Sequence, residues 1–169
     1  AEKMPAMSGR ERWSNLRSSH ELYNVGHLYE AAAAHFLATG KRPLLEVALK
    51  NADLLCRTFG PGKVQCPPGH EEIEIGLAKL YRLTGERKYL DLAKYLIDLR
   101  GRAETHALYG PGAQDHSPVL DQKEAVGHAV RAAYLYSGVA DVAALSGDEA
   151  YLDAIGRIWE DVVTKKLHL

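Results

Sequence analysis

The chain of 169 residues is long enough for one domain that buries about 70% of its unfolded surface. Its 21 basic and 22 acidic residues give a formal net charge of −1 without a long run of either sign, so we expect neither nucleic acid nor a membrane as a partner. No stretch approaches the ~18 uninterrupted apolar residues of a membrane-spanning helix, and residues 1–5 lack the apolar segment of a signal peptide, so the expected location is the cytoplasm.

The chain begins with a polar stretch, residues 1–12, that shows no periodicity and predicts a poorly ordered lead-in. Residues 13–169 are predicted to form one domain. The pair Ser18-Ser19 is typical of a helix start, and apolar residues follow it at helical spacing. The first helix is therefore predicted over about 18–38.

Glycine followed by histidine recurs along the chain, and each pair opens a stretch with helical spacing of its apolar residues. Each stretch ends in a hydroxyl residue and a glycine, and a second apolar helix begins a few residues later. This pattern predicts a threefold repeat of one helix hairpin. The three openings are Gly26-His27, Gly69-His70 and Gly127-His128. The six predicted helices cover about residues 18–38, 43–58, 70–83, 89–101, 122–144 and 151–165.

Two segments between the predicted hairpins lack helical character. Residues 59–68 contain three prolines and two glycines, which excludes a regular helix and predicts a connecting loop that delivers His70. Residues 102–122 form a longer loop that carries Gln114, Asp115 and His116. Loops of this length inside a compact domain are usually functional, so we expect this one to contribute to a site.

The predicted fold is all-α, with the first helix of each hairpin lining an interior and the second helix forming an outer layer. The inner helices are rich in alanine and glycine, as close helix packing requires. Three such hairpins make about half of an (α/α)6 toroid. The N-terminal ends of the inner helices would then gather at one mouth.

Neutral hydrogen-bonding side chains are expected at this mouth. His20 and His27 share one stripe of the first helix with Asn24, so this stripe is predicted to face an open space. Such groups beside Tyr23 and Tyr109 suit a sugar better than an anion. The candidate substrate-binding residues are His20, His27, His70, His128, Gln114, Asp115 and His116.

Each candidate also has a structural interpretation. A histidine at a helix N-terminus can simply cap the helix, and Asp115-His116 can form a turn more readily than a catalytic dyad. The acidic residues near the start of the third helix suit a solvated first turn that complements the helix dipole, although one of them could face the cavity. These are Glu71, Glu72 and Glu74. The histidines without repeat partners, predicted to be surface or packing residues, are His35, His106 and His168.

The sequence predicts no catalytic residue and no metal site in this chain. Cys56 and Cys66 lack a metal-type spacing, and a bridge between them or a thiol nucleophile at Cys66 is a weak alternative. The repeat histidines are separated by 43 and 58 residues, which gives no local ligand spacing. No pair of carboxylates stands out as the acid and base of a glycosidase. We therefore expect no cofactor in this chain.

Five motifs follow one another along the chain, at residues 12–16, 20–27, 68–74, 114–119 and 124–132. In this order they resemble glycoside hydrolase family 127, the β-L-arabinofuranosidase family. The likeness covers nearly the whole chain from about Arg10. Asn24 and Asp121 depart from it, because many members have cysteine and glutamate at these positions.

The resemblance implies an (α/α)6 barrel that removes terminal β-L-arabinofuranose from glycans with retention, using a cysteine nucleophile whose thiolate is bound to zinc. It also implies sugar contacts by His20 or His27, by His70 and by His128. The family's zinc ligands, nucleophile and acid/base lie downstream of the part that resembles residues 159–169. We therefore expect the front part of such an enzyme, with an L-arabinofuranosyl glycan as partner, zinc only in the full-length enzyme, and no hydrolase activity in the isolated chain.

Two other functions remain open. One is a non-catalytic helical repeat module that binds a carbohydrate or a protein. The other is a homodimer in which two copies associate through the open edges of the hairpins. The second is motivated by the apolar residues that an unfinished edge of a toroid would leave facing solvent.

Overall fold

The computed structural model describes residues 5–167, with side chains from Met7 onward. The chain consists of helices joined by loops, which confirms the predicted all-α class. The predictions for His168 and for residues 1–4 of the lead-in lie outside the described residues. The α-helices are α1 (Pro5–Ser8), α2 (Glu21–Thr39), α3 (Pro43–Thr58), α4 (Ile73–Thr84), α5 (Arg87–Asp98), α6 (Ala129–Ser146) and α7 (Glu149–Asp161). The shorter helical turns are Pro111–Ala113, Val119–Asp121 and Val162–Lys166.

The six long helices pair into three hairpins, α2 with α3, α4 with α5, and α6 with α7. The first helices of these pairs also pack against one another, with α4 between α2 and α6, and form the inner layer. The arrangement is about half of an (α/α)6 toroid, as predicted. Within residues 5–167, no helix combines the length and the apolar character needed to cross a bilayer.

A tyrosine at the start of each later outer helix ties that helix to the outer helix before it. Tyr89 of α5 donates a hydrogen bond of 2.9 Å to Asp53 of α3, and Tyr151 of α7 donates one to Asp98 of α5. Both tyrosines are buried. They occupy equivalent positions in the repeat, so a repeated sequence pattern produces a repeated contact that stacks the hairpins in register.

The ends of the inner helices lie where the sequence predicts them. α2, α4 and α6 stop at Gly40, Gly85 and Gly147, whose φ angles are 69°, 72° and 69°. Glycine adopts this left-handed conformation without steric cost. Two predicted starts are wrong, because α4 begins at Ile73 and α6 at Ala129.

Backbone requirements just before these helices explain the late starts. Glu72, directly before α4, has a φ of 145°, which is incompatible with a helix. Gly127 has a φ of 82°, and a Cβ atom there would lie 2.0 Å from the carbonyl oxygen of Pro111. His128 follows as the N-cap of α6, and its Nδ1 accepts a hydrogen bond of 3.5 Å from the backbone N–H of Arg131. The spacing of apolar side chains does not report such features.

α2 and α4 approach each other closely where two glycines meet. A Cβ atom on Gly76 would lie 2.7 Å from the carbonyl oxygen of Gly26. A Cβ atom on Gly26 would lie 1.5 Å from Oε2 of Glu72 and 2.9 Å from Cα of Ile73. The carboxyl group of Glu72 therefore lies directly against the backbone of α2.

We expect Gly26→Ala to lower the free energy of unfolding by about 1–3 kcal/mol, because the added methyl group would displace the Glu72 carboxyl and press on the α4 backbone. Urea denaturation followed by far-UV circular dichroism measures the change. Gly156→Ala is the matched control, since an added Cβ atom in this part of α7 meets nothing within 4 Å. The control should stabilise the chain by about 0.5–1 kcal/mol, and equal effects of the two substitutions would contradict the close contact at Gly26.

Candidate functional site

Five rings from three segments of the inner layer come together. The centroid of the Tyr23 ring, on α2, lies 4.6 Å from that of His27 and 4.4 Å from that of His70, which precedes α4. The His20 ring lies 5.5 Å from that of His70. Tyr134 of α6 lies 5.7 Å from His27 and 5.9 Å from His70, again between ring centroids. We call these five side chains the aromatic cluster.

Helical spacing places three members of the cluster. His20 is the N-cap of α2, and Tyr23 and His27 follow at intervals of three and four residues, so all three face the same side of the helix. His70 is held differently, because its Nδ1 lies 2.8 Å from the carbonyl oxygen of Glu71. A carbonyl oxygen only accepts, so Nδ1 carries a proton, and Nε2 of the neutral ring is a hydrogen-bond acceptor.

A polar cavity of about 370 Å³ adjoins the cluster. His20 and His70 line it together with Arg17, Tyr109 and Arg131. A volume in this range is typical of small-ligand sites. The cavity offers hydrogen-bond donors from the arginines and both donors and acceptors from the imidazoles and the phenol.

Cys66 belongs to the wall behind this cavity. Its Sγ lies 2.8 Å from the hydroxyl of Tyr109. Burial raises the pKa of the Cys66 thiol, which disfavours the thiolate that a nucleophile needs at neutral pH. Cys56 and Cys66 are both free, so the alternative of a bridge between them is not supported.

The two remaining candidate histidines are exposed. Burial is the main cause of the lowered pKa of His70; its hydrogen bond to Glu71 opposes the shift, and the charges of Arg131, His20 and His128 add to it. His116 lies on the long loop and makes no ring contact with the cluster. The structure thus brings His20, His27 and His70 together, and leaves His128, the N-cap of α6, and His116 exposed.

Asp115 supports the long loop from beneath and does not line the cavity, because it is fully buried. Its carboxylate accepts hydrogen bonds from the backbone N–H groups of Gly101 (2.6 Å) and Tyr109 (2.7 Å). Its Oδ2 also lies 2.9 Å from Nε2 of His106. The imidazole partner of Asp115 is therefore His106, a packing residue, and not the adjacent His116.

Gln114 is also fully buried, contrary to the expectation that it reaches a ligand. Its Nε2 donates a hydrogen bond of 2.7 Å to the carbonyl oxygen of Val126, and its backbone carbonyl oxygen accepts one of 2.9 Å from Nε2 of Gln122. Gln122 in turn accepts a hydrogen bond of 2.8 Å from the hydroxyl of Tyr136 on α6. This chain of contacts fixes the loop to the inner layer.

A buried arginine, which the sequence did not reveal as important, connects the loops at residues 59–68 and 102–122 to the start of α4. Arg100, shortly after α5, has no exposed surface. Its Nη1 lies 3.0 Å from Oε1 of Glu71, and its Nη2 lies 3.7 Å from Oε1 of Glu74. The same two nitrogens donate hydrogen bonds of 3.0 Å to the carbonyl oxygens of Ala113 and Pro68. One side chain thus holds the loops that deliver His70 and Gln114.

The expectation of a solvated acidic first turn in the third helix is wrong, because all three glutamates are fully buried. Glu71 and Glu74 face Arg100, and Glu72 faces α2. Burial raises the pKa of Glu71 to about 7, although the Arg100 charge opposes the shift. The pattern of charges at a helix start does not reveal that two loops and a neighbouring helix cover it.

His27 contacts two carboxyl groups through one ring nitrogen. Its Nδ1 lies 3.3 Å from Oε2 of Glu30 and 3.4 Å from Oε1 of Glu72. Among the described residues, this is the group of three side chains with metal-ligand spacing, since its ligand atoms lie within 4.8 Å of one another. The group contains no thiolate, and the ammonium of Lys79, paired with Glu30, already supplies a positive charge.

A family model described as the GH127 catalytic domain of β-L-arabinofuranosidase matches residues 2–169. The chain belongs to this family. A relative from Bifidobacterium longum subsp. longum, a non-reducing end β-L-arabinofuranosidase, is 42% identical over 187 residues. The alignment covers 99% of this chain and 28% of that relative.

Solved structures of GH127 proteins share the fold. One GH127 β-arabinofuranosidase matches with a TM-score of 0.88 and 49% identity, over 96% of this chain and 26% of its own. A GH127 β-L-arabinofuranosidase from Geobacillus stearothermophilus T6 matches with a TM-score of 0.87 and 42% identity, over 94% of this chain and 28% of its own. The chain therefore spans 26–28% of the length of these relatives, and the family predicted from the motifs is confirmed.

Proposed function

We propose that the chain forms part of the substrate-binding wall of a glycoside hydrolase that releases terminal β-L-arabinofuranose from the non-reducing end of a glycan. The observation that carries the proposal is the aromatic cluster, in which His20, His27 and His70 meet around Tyr23 beside a cavity of about 370 Å³. The relative from Bifidobacterium longum, named for this activity, adds support.

The side chains around the cavity suit an uncharged sugar. Burial lowers the pKa of His70, so its ring is neutral at neutral pH, and its Nε2 can accept a hydrogen bond from a hydroxyl group. The rings of Tyr23 and Tyr134, which contact His70 in the adjoining aromatic cluster, could offer apolar surface to the C–H groups of a furanose. Arg17 and Arg131 can donate hydrogen bonds to sugar oxygens without requiring a charged partner.

The zinc-bound cysteine nucleophile that the family resemblance implies does not fit the residues described here. The group of side chains with metal-ligand spacing contains no cysteine, and burial raises the pKa of both Cys56 and Cys66. We therefore assign binding and orientation of the sugar to this chain, and no bond-breaking step. Retention, zinc and the acid/base group are proposed for the full-length enzyme.

The isolated chain is expected to bind L-arabinose weakly and to release no product from an aryl β-L-arabinofuranoside. In titrations followed by NMR, His70→Ala should weaken binding about tenfold, because a hydrogen bond to the sugar is lost. His116→Ala is the matched control and should leave the affinity unchanged, since His116 lies away from the cluster. A larger loss with the control, or hydrolysis that thiol alkylation abolishes, would contradict this assignment.

Self-association is a second candidate property, favoured by an apolar groove of about 570 Å³ between α6 and α7. Trp159 lines this groove and is 65% exposed, which is unusual for a side chain of its size. We expect sedimentation velocity to detect a dimer that Trp159→Glu converts to monomer. A wild-type chain that sediments as a monomer at every concentration tested would overturn this candidate.

A further inference from the structure

Glu72 occupies its position at considerable energetic cost. Its carboxyl group is fully buried, and neither oxygen has a partner that meets hydrogen-bond criteria. Its φ of 145° is strained for a residue with a side chain, and residues in such regions cluster at functional sites. Gly26 must lack a side chain for the Glu72 carboxyl to lie where it does. Such a combination of costs points to a function for this carboxyl beyond helix packing.

His27 and Glu30 of α2 are titratable neighbours of Glu72, and the charges of Glu74 and Lys79 also act on it. Nδ1 of His27 faces both carboxyl groups, at 3.4 Å from Glu72 and 3.3 Å from Glu30. A carboxylate oxygen only accepts hydrogen bonds, so an ionised Glu30 at 3.3 Å favours a proton on Nδ1 of His27. Nε2 of the same ring makes no hydrogen bond within residues 7–167.

We infer that Glu72, together with Glu30, is a positioning residue that holds His27 in the Nδ1–H form and presents its Nε2 as a hydrogen-bond acceptor. His70 is in the same form, because its Nδ1 donates to the carbonyl oxygen of Glu71. Two acceptor nitrogens on one cluster favour a ligand that offers hydroxyl donors. The claim about the ligand rests on the proposed function, whereas the claim that His27 is in the Nδ1–H form does not.

The ionisation of the two glutamates is consistent with this arrangement. Burial, together with the neighbouring Glu30, raises the pKa of Glu72 to about 10, so its carboxyl group is neutral at pH 7. A protonated Glu72 can donate to Glu30 while its other oxygen accepts from His27. Burial raises the pKa of Glu30, but the neighbouring Glu72 and Lys79 side chains lower it by more, so Glu30 remains ionised.

The test is the tautomer of His27, read from long-range ¹H–¹⁵N correlations of the full chain with ¹⁵N-labelled histidine. His27→Asn identifies the signal, because it removes it. The wild-type ring is expected in the Nδ1–H form, which is the minor form of free histidine in water. A wild-type ring with its proton on Nε2 would overturn the inference, whether or not any variant folds.

Two variants separate positioning from packing. Glu72→Gln should keep the Nδ1–H form, since the amide can accept from His27 and donate to Glu30. The double variant Glu30→Ala/Glu72→Met should shift the ring toward the Nε2–H form and weaken L-arabinose binding about tenfold, whereas Glu72→Gln should change it less than about twofold. An unchanged tautomer in the folded double variant would overturn the inference.

The proposed function and the positioning role of Glu72 can be refuted independently. Absence of any L-arabinose binding by the wild-type chain would refute the proposed function and leave the tautomer measurement intact. A His27 ring in the wrong form would refute the positioning role even if the sugar binds.

Discussion

Replacement of Arg100 by methionine is expected to lower the free energy of unfolding by about 3–5 kcal/mol at pH 8. The guanidinium is fully buried and pairs with Glu71 at 3.0 Å and with Glu74 at 3.7 Å. Methionine has similar length but cannot donate hydrogen bonds, so both carboxyl groups would lose the cation that faces them in the buried interior. The carbonyl oxygens of Pro68 and Ala113 would lose their donors as well.

Urea denaturation measures this loss, and pH gives a second test of its cause. Burial raises the pKa of Glu71 to about 7 even beside Arg100, so at pH 5 this carboxyl is neutral and the loss should be smaller. Arg87→Met is the matched control, because Arg87 pairs with Asp91 on an exposed helix face, where solvent screens such pairs and they contribute little to stability. A loss below about 1 kcal/mol for Arg100→Met would mean that the buried pair does not support the loops.

Loss of Arg100 should also disturb the loops beside the polar cavity. Its two carbonyl partners belong to the loops that carry His70 and Gln114, so both loops should become mobile at the edge of the cavity. Arg100→Met should therefore weaken sugar binding, although Arg100 does not contact the sugar. This consequence distinguishes Arg100 from an ordinary core residue such as Leu77, whose contacts lie within the core between the helices.

The hairpin architecture could be predicted from the sequence because it depends on spacing. Apolar residues at helical intervals and a glycine after a hydroxyl residue mark each inner helix, and both signals are local. The repeated tyrosines, Tyr89 and Tyr151, then set the stacking of the outer helices. Because the pattern repeats, the helix boundaries of one hairpin predict those of the other two.

The interior of the site could not be predicted in this way. Glu71, Glu72 and Glu74 look like solvated residues, because their spacing relative to the helix start matches the favourable charge–dipole arrangement. Their burial depends on Arg100 and on Gly26, which lie 29 residues after and 45 residues before Glu71. Contacts over such distances leave no periodic signal in a single sequence. Gly26-His27 did mark the right place, but its glycine accommodates Glu72 instead of opening a helix.

The pH dependence of stability should report the buried state of Glu72 directly. In the unfolded chain this carboxyl ionises near its ordinary pKa of 4.5, whereas burial raises its pKa to about 10 in the folded chain. Its contribution to stability is therefore fully present below pH 4.5 and is lost as pH rises toward 10. Each pKa unit corresponds to about 1.4 kcal/mol.

Glu72→Gln removes this dependence while it keeps the shape of a protonated carboxyl. We expect the variant to match the wild type at pH 4.5 and to be about 2–4 kcal/mol more stable at pH 8, measured by urea denaturation at both pH values. Glu46→Gln is the control, since Glu46 is 56% exposed in its pair with Arg42 and should change stability by less than about 0.5 kcal/mol at either pH. A difference that stays constant between pH 4.5 and pH 8 would show that Glu72 is ionised in the folded chain.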